Sequence, residues 1–220
     1  MQKEQNPLNI ILLGISGSGK GTQASILRER YDLEYIGTGD LLRKFSNEDN
    51  AVARKMKKEL ADGKLVPTWL PFYLWMKKLL NTPEDKGILF DGSPRKIQEA
   101  EILEDVLEWY GRRNIKVILI DLSDEESFRR LMSRRTCEKC GKSAYIELEE
   151  AEVVCGHCGG IMRIRVEDNP ESIKARIKWF YDEVSQVIDF FEKKGELIRI
   201  NGNQSIDDVT KDIISSIEKK

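Results

Sequence analysis

The chain has 220 residues, of which 40% are apolar and 34% charged, and its formal net charge is −2. That length buries a core of ordinary size, as one domain or as one domain carrying inserts, and the near-balance of charge excludes the global positive field that gathers nucleic acid. The start MQKEQNPLN has no apolar core before Ile10, and nowhere do roughly eighteen apolar residues run together, so the sequence predicts a cytoplasmic protein with neither leader nor membrane span.

In chain order, the first predicted element is the strand LNIILL, Leu8 to Leu13. It runs into GISGSGKGTQ, Gly14 to Gln23, and a helix. LEYI (Leu33 to Ile36) reads as a second strand, followed from Gly39 to Gly63 by a helical stretch with no strand of its own. ILFD (Ile88 to Asp91) is the third strand. Apolar residues at Ala100, Leu103, Val106, Leu107 and Tyr110 then mark an amphipathic helix. KVILID (Lys116 to Asp121) is a fourth strand. After a cysteine-bearing segment, the helical spacing returns in Ile173, Ile177, Phe180, Val184, Ile188 and Phe191, and ELIRI (Glu196 to Ile200) is a fifth strand. Strands alternating with helices predict a parallel sheet covered on both faces. The stretch after Gly39 and the cysteine segment interrupt that rhythm and read as inserts on one core.

GISGSGKGTQ carries the strongest chemical signal. Its G-x-x-x-x-G-K core, placed between a strand and a helix, is a phosphate-binding loop: backbone N–H groups and a helix N-terminus face the anion, and Lys20 neutralises terminal phosphate charge. The strict motif places Ser or Thr directly after the lysine; here Gly21 intervenes before Thr22.

All four cysteines fall in two C-x-x-C pairs, Cys137 with Cys140 and Cys155 with Cys158, separated by fourteen residues. In a reducing compartment that arrangement favours a shared metal over disulfides, and four thiolates suit a closed, tetrahedral, structural zinc. A redox pair is the alternative. The single histidine, His157, is expected on the surface.

The G-K-G-T ending, IGTGDLLRK (Ile36 to Lys44), GKLVP (Gly63 to Pro67), FDGSPR (Phe90 to Arg95), RRLMSRR (Arg129 to Arg135), RVEDNPESIKAR (Arg165 to Arg176) and IRINGNQSIDDV (Ile198 to Val209) together resemble the adenylate kinase family of nucleoside monophosphate kinases over nearly the whole chain. The resemblance implies an α/β, P-loop NTPase-type fold with a five-stranded parallel sheet. Residues 1–37, 68–133 and 169–220 would form the core, 38–67 an insert that binds the monophosphate, and 134–168 a zinc-stapled lid over ATP. It implies a monomer that converts Mg-ATP and AMP into two ADP by direct in-line transfer. Gly17, Ser18, Gly19, Lys20, Gly21 and Thr22, with Arg130, Arg134, Tyr145 and Gln204, would hold the donor nucleotide. Thr38, Arg43, Lys64, Leu65, Val66, Gly92, Ser93, Pro94, Arg95, Gln98 and Glu99 would hold the acceptor. Arg134, Arg165 and Arg176 would close over the transferring group, with Lys20 and Arg95 completing the charge neutralisation and Asp91 holding magnesium through water.

The chemistry supplies its own reason for so many arginines. Phosphoryl transfer between nucleotides gathers polyanions and is catalysed mainly by positioning and charge neutralisation, for which a planar, permanently charged guanidinium is suited. Arg112, Arg113 and Arg163 are expected to be solvated surface charges instead. Three departures from the family pattern stand out: Ser16 where proline is usual, Ser93 where an aromatic follows Asp-Gly, and Glu99 where an adenine-reading glutamine is usual, with Gln98 one residue earlier. Thr38 matches the threonine of adenylate kinases, a resemblance that implies AMP, whereas a carboxylate at Glu99 matches the two donors of guanine. Kinases of GMP, UMP or CMP are therefore the rivals within the class. From another class, a nucleotide-dependent zinc-ribbon module for nucleic acid conflicts with the acidic IELEEAEVV between the cysteine pairs.

Overall fold

The structure is a computed structural model and describes residues 6–61, 66–146, 153–165 and 167–219. Five parallel strands form the central sheet: β1 (Asn9–Leu13), β2 (Glu34–Gly37), β3 (Ile88–Asp91), β4 (Ile115–Asp121) and β9 (Leu197–Asn201), in the order β2-β3-β1-β4-β9. All five predicted strands are present, with ends moved by a residue or so. β1 is buried throughout and pairs with both β3 and β4, which is why NIILL carries no polar alternation: it faces helices on both sides.

The two-residue period of the strands divides the core. Ile11 and Leu13 face one layer, packing with Trp75 and Leu79 of α4 (Trp69–Leu80), Leu103 and Leu107 of α5 (Ile97–Trp109), and Val187 and Phe191 of α8 (Ser185–Lys193). Ile10 and Leu12 face the other, against Ala24 and Leu27 of α1 (Lys20–Arg30) and Val209 and Ile213 of α9 (Ile206–Glu218). The chain leaves β1 toward β2 but leaves β3 toward β4, so the connections diverge between two adjacent strands. In sheets of this kind the carboxyl end of such a switch point is a crevice.

Two inserts overhang that end. Between β2 and β3, α2 (Thr38–Phe45) and α3 (Ala51–Ala61) pack with α4 around their own small cluster of Phe45, Ala53, Met56, Leu70 and Leu74. Between α6 (Asp124–Ser133) and α7 (Pro170–Trp179) lies an antiparallel sheet of β5 (Arg134–Cys137), β6 (Ser143–Tyr145), β7 (Val153–Val154) and β8 (Ile161–Arg163), ordered β6-β5-β8-β7. The amphipathic pattern from Ile173 to Phe191 is α7, a π-helical turn (Phe180–Val184) and α8 without interruption. Asn169 caps α7 by accepting the Ser172 N–H at 2.9 Å, and Pro170 opens its first turn. Among the described residues no helix is long and apolar enough to cross a membrane.

One surface assignment is corrected. Arg112 is 2% exposed, its Nη1 donating to Asn9 Oδ1 at 3.2 Å and the Lys86 carbonyl at 2.7 Å, its Nη2 to the Pro83 carbonyl at 2.9 Å. A guanidinium carries enough donors to satisfy the carbonyls of the turn before β3, and it pins that turn to the start of β1. Arg113 and Arg163 are exposed as expected.

Candidate active site

The loop between β1 and α1 turns on three glycines with positive φ: Gly14 at 146°, Gly17 at 84° and Gly19 at 92°. At Gly17 the requirement is also spatial, because a Cβ there would lie 3.1 Å from the Ser127 carbonyl oxygen and 3.2 Å from Leu131 Cγ of α6. Gly19 and Gly21 face open space instead. They leave the N-terminus of α1 uncovered, as a site for phosphate requires. Ser127 Oγ donates to the Ser16 carbonyl at 2.7 Å, so the loop holds its place without the proline usual there. Lys20 folds back over the loop, Nζ donating to the carbonyls of Gly14 at 2.6 Å and Ile15 at 2.8 Å and to Ser18 Oγ at 3.3 Å. Burial lowers its pKa to about 8; Asp91 opposes the shift, while Arg95 and Arg134 reinforce it. Thr22 lies on the first turn of α1.

Beside the loop, β3 ends in Asp91, whose Oδ2 accepts from Tyr35 Oη at 3.0 Å. Burial raises the Tyr35 pKa, so the phenol remains a donor. Gly92, at φ 78°, leaves room for the guanidinium of Arg95: a Cβ there would lie 3.0 Å from Arg95 Nη2. Arg95 Nε donates to the Gly92 carbonyl at 2.6 Å, and burial lowers the arginine's pKa, aided by Arg176. Ser93 is buried and shares a 2.6 Å hydrogen bond with Thr38 Oγ1; Pro94 follows it and is also buried. Glu99 occupies the first turn of α5, buried, with Oε2 accepting the Arg95 backbone N–H at 2.8 Å. Burial raises its carboxyl above the ordinary range. Gln98 is exposed. Arg43 is exposed and pairs with Asp40. Val66 packs on the cluster of the α2–α4 insert, while Lys64 and Leu65 lie outside the described residues.

Arg134 of the lid sheet and Arg176 of α7 converge on one carboxylate. Asp168, fully enclosed, accepts from Arg134 Nε and Nη2 and from Arg176 Nη2, each at 2.7 Å. Arg165 is held on the lid sheet, donating to Thr136 Oγ1 at 2.8 Å and Ser143 Oγ at 3.2 Å, and burial lowers its pKa with repulsion from Arg134 and Arg43 adding to it. Tyr145 reaches back across to the phosphate loop, its hydroxyl donating to the Gly17 carbonyl at 3.3 Å. Arg130 donates to Glu126 Oε1 at 2.7 Å and to the Gly202 carbonyl at 3.0 Å, which puts it beside the loop carrying Gln204. The Gln204 amide itself donates to Asp212 at 2.7 Å.

The thiols of Cys137, Cys140, Cys155 and Cys158 all lie within 4.8 Å of one another, with Sγ···Sγ distances of 3.5 Å for Cys137–Cys158 and 3.7 Å for Cys140–Cys155. A tetrahedral zinc with Zn–S of about 2.3 Å sets sulfurs about 3.8 Å apart, so the donor set fits that ion. Cys137 and Cys155 are buried in a small cluster with Met162, Cys158 packs against it, Cys140 is exposed, and His157 is exposed outside the group.

The positive charges of this end of the sheet form one connected group. Lys20 feels Arg95 and Arg134, Arg95 feels Arg176, and Arg165 feels Arg134 and Arg43. Such concentration in a chain of net charge −2 marks a site for a polyanion. Asp168, Tyr35 and Trp179, whose ring lies under Arg95, were missed in the sequence. For Asp168 a signal existed, since it stands within RVEDNPESIKAR; for the two aromatics there was none. The family model described as adenylate kinase matches residues 12–196. An adenylate kinase from Staphylococcus aureus (strain N315) is 35% identical over 213 residues, covering 96% of this chain and 99% of that protein. Those of Caldicellulosiruptor bescii and Staphylococcus epidermidis are 34% and 33% identical, with the same coverage. A phosphate loop, a converging set of arginines, a four-thiolate lid and likeness along almost the full length agree with one another: the chain belongs to the adenylate kinase family.

Proposed function

We propose that the protein is an adenylate kinase, a phosphotransferase that interconverts Mg-ATP plus AMP and two ADP. The observation that carries this reading is the set of cations around the phosphate loop: Lys20 folded over the loop, Arg95 held at the end of β3, and Arg134 and Arg176 meeting on Asp168. Transfer breaks the bond between the β–γ bridging oxygen and the γ-phosphorus and forms one from an acceptor phosphate oxygen to that phosphorus. That oxygen is already anionic, so no general base is required.

The roles are those that family membership implies, and the positions of the described residues support them. Backbone N–H groups of Gly17 to Thr22 and the Lys20 ammonium hold donor phosphates, and Arg130 and Gln204 flank the donor base with Tyr145 above the loop. Arg43 and Arg95 grip the acceptor phosphate; Arg134, Arg165 and Arg176 stabilise charge on the transferring group in a site from which water is excluded. Asp91, with Tyr35 donating to it, would hold the water shell of a magnesium ion, which would supply charge neutralisation to the phosphates. Cys137, Cys140, Cys155 and Cys158 would hold a zinc ion in a closed shell, which would stiffen the lid without entering the reaction. The division into a core of 1–37, 68–133 and 169–220, an acceptor insert of 38–67 and a lid of 134–168 is supported by the separate small clusters in each insert. Four thiols suited to a metal support a reducing compartment, and we infer a cytoplasmic monomer acting on small nucleotides without nucleic acid or membrane.

Glu99 favours a second reading of the acceptor, because a carboxylate accepts from both the ring N–H and the exocyclic amine of guanine. Thr38 beside Ser93 supports AMP. Formation of ADP from ATP, measured without acceptor and with AMP, GMP, CMP or UMP, tests both. AMP-dependent turnover with the highest kcat/KM is expected. A preference for GMP would replace the acceptor, and turnover indifferent to every monophosphate would refute the kinase.

A further inference from the structure

Arg95 stands among like charges, and burial already works against its ionised form. A long, flexible side chain in that field would relax away from the site unless something held it. Its backbone N–H donates to Glu99 Oε2 at 2.8 Å, and its Nε to the Gly92 carbonyl at 2.6 Å. The guanidinium carbon lies 5.7 Å from the centroid of the Trp179 ring, within the range of a cation–π contact. Trp179 is the last residue of α7, one turn after Arg176, so the same helix face that brings the repelling guanidinium also brings the ring. Among the described residues, neither Nη of Arg95 has a hydrogen-bond partner.

We propose that Trp179 is a positioning residue for Arg95: with Gly92 and Glu99 it holds the guanidinium so that its Nη edge is presented, already oriented, to the phosphate of the acceptor nucleotide. The proposal deepens the kinase reading and rests on it. Indole offers a negative face that leaves the hydrogen-bonding edge free, whereas an aliphatic side chain of similar bulk fills the space without attracting the cation. A carboxylate in the same place would satisfy the Nη donors and compete with the phosphate. Glu99 correspondingly acts on the backbone of Arg95 and spares its fork. Trp179 also packs at the edge of the main core, so the test must separate position from packing.

The experiment is calorimetric titration of the full chain with AMP and, separately, with ATP, for the parent, Trp179→Leu, Trp179→Phe and Arg95→Ala, and for the Arg95→Ala/Trp179→Leu pair. Trp179→Leu should weaken AMP binding about fivefold, the size of a partly buried cation–π contact, and leave ATP binding within about twofold. Trp179→Phe should recover most of the loss. In the Arg95→Ala background the leucine change should shift AMP affinity by less than about twofold, because the partner through which the ring acts is gone. Should the leucine variant fail to fold, Trp179→Met compared with Trp179→Phe carries the same contrast. Equal weakening of AMP and ATP, absence of rescue by phenylalanine, an unchanged AMP affinity, or a loss that persists without Arg95 would each overturn the proposal. A parent protein that binds no AMP would instead refute the acceptor reading on which it rests.

Discussion

Replacing Asp168 by alanine should loosen the joint between lid and core and disable the chemistry with it. The carboxylate is fully enclosed and receives three hydrogen bonds of 2.7 Å, two from Arg134 at the start of the lid sheet and one from Arg176 in α7. Charge-assisted hydrogen bonds are worth about 1.5–3 kcal/mol each by truncation, but bonds sharing one acceptor group do not add. Arg134 and Arg176 retain 13% and 28% of their side-chain exposure, so both partly rehydrate once the partner is gone. The loss should therefore lie near the lower end of the range for breaking a buried pair, about 3 kcal/mol. For a chain of this size that lowers Tm by roughly 6–12 °C. Turnover should fall roughly a hundredfold, the scale of losing one preorganised donor to the transition state, because both guanidiniums then wander. Asp168→Asn, which keeps one accepting oxygen but turns an NH2 toward an arginine, should be intermediate in stability. Thermal unfolding followed by circular dichroism and a coupled ADP assay on the same preparations make the measurement. An alanine variant with parental Tm and parental kcat would show that Asp168 does not organise the lid arginines.

Lys20 should give kcat/KM for ATP an alkaline limb near pH 8 that moves upward in kcat, since bound phosphates restore the ammonium; the sign for stability is opposite, because a lysine whose folded pKa is depressed adds stability at high pH that is lost as pH falls through about 8. Lys20→Ala should remove both the limb and nearly all turnover while the protein stays folded. One zinc per chain is expected by elemental analysis, and chelation or Cys155→Ser with Cys158→Ser should lower Tm and reduce activity only partially, with the sheet's circular dichroism retained; no metal with an intact lid would reject the staple. Glu99→Gln should raise kcat/KM for AMP relative to GMP, because the amide donates to the adenine ring nitrogen where a carboxylate cannot. An unchanged AMP to GMP ratio would mean that Glu99 serves only the backbone of Arg95.

Much of this protein is local in origin, and that part was legible in the sequence. The run from Ile10 to Leu13 is apolar at every position because β1 is covered on both faces, and the turn after it needs glycine where φ is positive and where α6 presses on Gly17. The four cysteines are legible for a similar reason: two tight turns supply two ligands each, and the metal that four thiolates demand requires the pairs to meet. What the tertiary structure alone decided are partnerships between distant residues. Arg134 and Asp168 are 34 residues apart and Tyr35 and Asp91 are 56 apart, and no periodicity relates one to the other. Arg112 looks like its exposed neighbour Arg113 in the sequence, yet packing buries one against three backbone and side-chain oxygens and leaves the other in water. Glu99 has the same split character. Its spacing of four residues from Arg95 was legible in the sequence, but its place on the first turn of α5 and its committed hydrogen bond depend on how the turn from Gly92 to Arg95 meets the helix. Residue type and spacing set which groups can neutralise phosphate; only the crossing of chains fixes which of them already have partners, and hence which remain free to do so.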